Sequence, residues 1–261
     1  MKQRLHFLEI LYCHLLLVFA LGRIGFICYN HHVEELSLSQ TLQVCWDGLL
    51  SHDFAVAALF LLPAALLAFL ASRRPHMPLR AILTPYYALA GFLVALIVVA
   101  DTVMYEFWQF KLNAVVLSYA ASPEGASNSV SPWFILSRVS VTLASVLWVV
   151  LPCVFLTPRR IPDAPVWKAF MRNICLILMG LSFLCLTCVR VGDSYHEQNS
   201  LFRNHASVNP VLGFFSSFPW TCEPASRFDY LAEEEREQTF SNLYPEDTED
   251  IQDTLLRVKQ P

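Results

Sequence analysis

The sequence predicts an all-α, polytopic membrane protein: five transmembrane helices, N-terminus inside and C-terminus outside, with interfacial amphipathic helices beside them. Three observations predict it. Hydrophobic residues make up 55% of the 261-residue chain and charged residues only 15%, a balance foreign to soluble domains. The apolar residues gather into five stretches, at 5–29, 54–71, 81–100, 133–156 and 174–189. The basic residues between them alternate in side: Lys2 and Arg4 precede the first stretch, Arg73, Arg74 and Arg80 follow the second, and Arg159, Arg160, Lys168 and Arg172 follow the fourth. The first and third connectors hold Lys111 alone. Cytoplasmic loops retain positive charge during insertion, so this asymmetry sets the orientation.

A hydrocarbon core about 30 Å thick needs about 20 apolar residues per helix, and the first four stretches come close or exceed it. The fifth is short, but Arg172 and Arg190 at its ends can snorkel to the headgroups. Runs such as LVALIVVA do not alternate, which excludes β-barrel strands. Lys2 and Arg4 ahead of an apolar run also suit a signal peptide. The run continues through Ile24-Gly25-Phe26-Ile27, however, past the length of a cleaved hydrophobic region.

In the first connector, Leu36, Leu38, Leu42, Val44, Leu49 and Leu50 fit a short helix lying at the interface. Prolines 75 and 78 stop helical continuation in the second. The third helix is expected to break the outer surface at Asp101 and continue as an amphipathic stretch at headgroup depth, through Tyr105, Phe107, Trp108 and Phe110. Ser122-Pro123-Glu124-Gly125 marks a turn before the fourth span. After the fifth, residues 207–218 place Val208, Val211, Leu212, Phe214, Phe215 and Phe218 in one amphipathic segment, too short to span and too apolar to float. The organisation is therefore a transmembrane domain over 1–190, an interfacial re-entering segment over 191–222, and an acidic linker over 223–261. That linker carries 11 acidic residues against 4 basic ones.

No nucleophile stands beside a base at a recognised spacing, and phosphate-binding glycine loops are absent, so no catalytic residue is assigned. His31-His32 with Glu34-Glu35 lacks the i, i+4 spacing of a helical metal-binding pair and reads as a hydrated loop. Asp193, His196 and Glu197 likewise lack a third partner. Cys185 and Cys188 fall within an apolar run and read as packing residues. Cys45 and Cys222 lie on the outer side, where a disulfide is permitted, though nothing in the sequence brings them together. No metal site and no cofactor are assigned to this chain. The basic residues are accounted for by topology, which excludes nucleic acid as a partner.

Charges near the outer face are the better candidates. Arg23, Arg138 and Arg190 all fall there, and a guanidinium can hold a lipid phosphate bidentately. Asp101 and Glu106, at similar depth, can pair with these arginines. Together with Lys111 they outline a phospholipid headgroup pocket, with membrane phospholipid as the partner. Ordinary snorkelling and helix-to-helix salt bridges are the alternative.

These residues carry a resemblance. Arg23 late in the first helix, Asp101 followed by an aromatic segment ending in Lys111, the re-entering NHASVNPVLGFFSSF, and an acidic linker with Tyr244-Pro245 resemble the membrane half of lipoteichoic acid synthase-like proteins. That group belongs to the sulfatase and alkaline phosphatase superfamily, alongside phosphoethanolamine transferases. The resemblance implies a bacterial inner membrane protein that anchors and presents lipid to an extracytoplasmic transferase or phosphodiesterase domain. The absence of any Asn-x-Ser/Thr sequon agrees with a bacterial source. In such proteins a Thr nucleophile and a divalent metal reside in the catalytic domain, which the resemblance implies lies outside these residues, on a longer form of the chain or encoded separately. A free-standing, non-enzymatic membrane scaffold is the alternative. A transporter component is disfavoured by the odd span number and the absence of an internal repeat.

Overall fold

The structure, a computed structural model, describes residues 7–74, 76–117, 131–160, 174 and 200–218. All belong to one compact unit that ends at Phe218. Among the described residues every regular element is helical. Four helices are long and apolar enough to cross a membrane: α1 (Phe7–Tyr29), α3 (Phe54–Arg73), α4 (Leu79–Trp108) and α5 (Pro132–Leu156). Between α1 and α3 lies α2 (Leu38–Gly48), and two short helices follow, α6 (Leu201–Ser207) and α7 (Pro210–Ser216). The fifth apolar stretch beyond Ile174, Arg190, Cys222 and the acidic linker lie outside the described residues.

Helix α1 buries Leu8, Leu11, Leu15, Phe19, Arg23 and Phe26, a stripe in steps of three and four residues. Against it lies the small-residue face of α3, with Ala57, Leu61, Ala64, Ala68 and Ala71 almost wholly enclosed. Alanines let two backbones approach closely, which is how helices associate where lipid removes the hydrophobic drive. Pro63 and Pro85 interrupt the ladders of α3 and α4, and the Tyr86 hydroxyl donates to Phe60 O (2.5 Å) near the first break. At the Arg80 end of the bundle, Arg80 caps α5. Its Nε donates to Thr157 O (2.7 Å) and its Nη2 to Phe155 O (3.0 Å), placing a cation where the helix dipole is negative.

The aromatic segment after Asp101 continues the third helix, as the sequence predicts. Helix α4 runs unbroken for 30 residues, roughly 45 Å at 1.5 Å per residue, half as long again as a hydrocarbon core. It stops at Gln109, whose φ of 53° is the left-handed conformation that closes a helix C-terminus. The predicted connector helix exists as α2. Its start is a capping box in which Ser37 accepts from Gln40 N and Gln40 returns the bond to Ser37 N (2.8 Å). Its end runs through one π-helical turn, Leu49–Asp53, straight into α3. The expected short helix within 207–218 exists as α7, and α6 precedes it. They break at Val208-Asn209, and Val208, Val211 and Phe214 pack onto the protein.

Candidate functional site

The polar residues concentrate at the Tyr29 end of the bundle, where α2, α6, α7 and the top of α4 meet. Arg23 lies on the inward stripe of α1, so its guanidinium enters the core and is only 5% exposed. There it meets Asp53, which the π turn delivers to the first residue before α3. The pair is bidentate, Nη1 to Oδ2 at 2.7 Å and Nη2 to Oδ1 at 3.0 Å. Nε donates to Ala206 O (3.0 Å) and Nη2 also to Ser207 O (3.2 Å). Four of the five guanidinium N–H groups are thereby engaged. Gly48 makes the approach possible: a Cβ there would stand 2.3 Å from the guanidinium carbon and 2.5 Å from Ser207 O.

Asn209 completes the clamp. Its Nδ2 donates to Asp53 Oδ1 (2.8 Å), and its Oδ1 accepts from Val211 N (3.0 Å) and Leu212 N (3.3 Å). One fully buried side chain therefore joins the ion pair to the N-terminus of α7, with Pro210 at the first helical position.

A second ion pair sits across from the first. Lys111 Nζ bonds Asp101 Oδ2, and Asp101 Oδ1 accepts from Leu112 N (2.9 Å), so α4 ties down the chain that leaves its own C-terminus. The ammonium also lies 4.5 Å from the centre of the Phe26 ring. Burial lowers the Lys111 pKa from its ordinary value, and the Asp101 carboxylate opposes that shift. The Tyr105 hydroxyl bonds His205 Nδ1 (3.0 Å), joining α4 to α6. Burial and the nearby Lys111 charge lower the His205 pKa, Asp101 opposing in part, so the imidazole is neutral at neutral pH. Arg23, Asp101 and Lys111 together border a space of about 10 Å³, near the minimum for one water. Farther out, Glu34 pairs with Arg203 (2.9 Å) and accepts from Ser200, fixing the start of α6.

The third arrangement is open. Tyr29 donates to Glu106 Oε2 (2.6 Å) and accepts from Arg138 Nη2 (2.6 Å). The Arg138 guanidinium lies over the rings of Tyr29 and Phe134, at 5.0 and 4.6 Å. Its buried Nε has no hydrogen-bond partner among the described residues. Arg138 heads an apolar groove of about 540 Å³ between α1, α4 and α5, lined by Gly22, Gly25, Val98, Val141 and Trp148 among others.

The structure thus divides the six predicted residues. Arg23, Asp101 and Lys111 meet in one buried cluster, Glu106 and Arg138 share the Tyr29 relay, and Arg190 lies outside the described residues. The pairing differs from the sequence reading: Arg23 takes Asp53 rather than Asp101 or Glu106, and Asp101 takes a lysine. Sequence reasoning did not single out Asp53, Asn209 or His205 as site residues, and it placed Tyr105 only among the aromatics after Asp101. Asn209-Pro210 carried a usable signal, a capping residue followed by proline at the first helical position. Among the described residues no cluster of three or more His, Cys, Asp or Glu side chains is arranged to hold a metal. Nothing described here fits the divalent ion that the resemblance implies for a catalytic domain. Comparison with family models, curated proteins and solved structures finds no match to this chain.

Proposed function

We propose that this chain is a membrane mount. It crosses a bacterial inner membrane five times with its N-terminus inside, and it fixes the segment after its last span against the outer face. There it presents lipid headgroups to an extracytoplasmic catalytic unit of the sulfatase-like kind. The observation that carries this reading is the clamp formed by Arg23, Asp53 and Asn209. Apolar contact alone would keep a short amphipathic segment near a membrane. A bidentate pair whose side chains are 3% and 0% exposed instead fixes that segment to within hydrogen-bond tolerance. Anything joined beyond it is tethered to that face, which raises its effective concentration at the lipid surface. The charge alternation supports the orientation, and the resemblance supports the identity of the unit served, with its Thr nucleophile and divalent metal outside these residues.

Two measurements test the reading. In a cysteine-depleted chain, His32→Cys should react with a membrane-impermeant maleimide on intact cells, and His76→Cys only after permeabilisation. Both positions are exposed, at opposite ends of the bundle. The reverse labelling overturns the orientation. The purified 261-residue chain should release no headgroup from phosphatidylglycerol or phosphatidylethanolamine with Mn²⁺ present, and metal-dependent release would place the chemistry in this chain after all.

A further inference from the structure

We propose that Arg138 heads a binding site for one two-chain phosphodiester lipid, its phosphate on the guanidinium and its acyl chains in two grooves that part at this residue. The inference rests on the membrane reading above and names the ligand class and its seat. Arg138 is the contrast to Arg23. Among the described residues it commits one N–H to Tyr29, and its buried Nε commits none. A guanidinium fork is shaped for two oxygens of one phosphate, and a phosphodiester supplies them. Tyr29 holds the fork in place while its own proton goes to Glu106, so the carboxylate takes no direct salt bridge from Arg138.

The grooves supply the rest. The first, of about 540 Å³, runs along α5 from Arg138 to Trp148. Ten residues of helix span roughly 15 Å, half of a 30 Å hydrocarbon core and so the depth of one leaflet. The second, of about 430 Å³, lies between α4 and α5 on the other flank, lined by Phe92, Leu96, Val139 and Leu143 among others. Both are bordered by Val99, Val103 and Arg138, which form the ridge between them. Both volumes fall within the roughly 300–1,000 Å³ of ligand pockets. Gly25 lines the first groove and faces open space, where a Cβ would meet nothing within 4 Å. A lipid with one phosphate and two chains matches one cation where two apolar grooves part.

Trp148 on the groove wall provides the readout. The purified chain in detergent is titrated with phosphatidylglycerol bearing brominated acyl chains, and Trp148→Phe defines which part of the tryptophan quenching belongs to this site. The expected result is saturable quenching of Trp148. Arg138→Gln should weaken it by roughly tenfold or more, the loss of one or two charge-assisted hydrogen bonds. Arg138→Lys, which keeps the charge and loses the fork, should fall between. Gly25→Phe fills the groove mouth and should reduce quenching without lowering the melting temperature. Brominated diacylglycerol, which has the chains and no phosphate, should bind the native chain as weakly as phosphatidylglycerol binds Arg138→Gln. Equal quenching by the two lipids, or an unchanged titration in Arg138→Gln or Gly25→Phe, overturns the site and leaves the grooves as ordinary lipid-facing surface. The labelling result at His32 and His76 is independent of that outcome, so failure here does not decide the mount.

Discussion

Replacing Asp53 by Leu should release α6 and α7 from the bundle while leaving the four long helices assembled. The Asp53 carboxylate accepts three hydrogen bonds, two from Arg23 and one from Asn209, at 2.7 to 3.0 Å. Its removal strands a guanidinium that is almost wholly enclosed, with only the carbonyls of Ala206 and Ser207 left to it. Breaking one side of a buried pair costs about 3–5 kcal/mol, because the surviving charge stays desolvated. At about 1.4 kcal/mol per decade, amide-exchange protection across 201–216 should fall at least 100-fold. The α1–α3 contact deeper in the bundle is made by leucines and alanines and does not depend on Asp53. Protection there should change far less. The double variant Arg23→Met with Asp53→Leu removes both charges and should recover much of the loss, giving a coupling energy from the cycle. Asn209→Asp supplies an orthogonal check. It keeps the helix cap, since Asp caps as well as Asn, but sets a second carboxylate against Asp53. Unchanged protection in Asp53→Leu, or equal loss in the single and double variants, refutes the clamp as the device that seats this segment.

Two further outcomes follow from neighbouring residues. Gly48→Ala improves intrinsic helix propensity by about 0.8–1 kcal/mol, yet it should lower the melting temperature, because its Cβ would intrude on the Arg23 guanidinium and on Ser207 O; a raised melting temperature contradicts the close approach. Because the His205 pKa is lowered on folding, the released segment binds a proton that the docked one refuses. Docking of α6 should therefore be fully stable above the ordinary value of 6.5 and weaken as pH falls below it toward the depressed value, with His205→Gln flattening an exchange-versus-pH profile that stays steep if another group is responsible.

The four long helices were legible because apolar length is a property of composition, and so were α2, through its leucines, and the breaks at the prolines. The inward face of the last turns of α4 was harder to read. The polar residues from Asp101 onward mark an amphipathic continuation of the helix, but they do not show that Asp101 and Tyr105 continue its inward face in step with Val94 and Ile97. The inward position of Arg23 was readable from spacing: counting from Leu8 through Leu11, Leu15 and Phe19 lands on it. Depth along the chain placed Arg23 correctly at the end of a span, but depth does not give azimuth, and azimuth decides whether an arginine meets lipid or protein. Its partner was not readable at all. Asp53 comes from a π turn, and the one extra residue per turn that rotates it toward α1 has no periodic signature in LLSHD.

Two arginines near one end of the same bundle therefore have opposite accounts. Arg23 stands over a glycine, gives four donors to the protein and is matched by a carboxylate, while Lys111 beside it is matched by another. Among the described residues the cluster is balanced in charge, two cations against two anions, and the space beside it holds about one water rather than a phosphate. Among the described residues Arg138 stands half-buried with one committed donor, between two grooves that these residues leave open. A membrane protein that needed only a structural cation at this position could have closed it with a direct carboxylate, as it did at Arg23. Interposing Tyr29 between Arg138 and Glu106 positions the guanidinium without saturating it, which is the arrangement a phosphate-bearing guest requires.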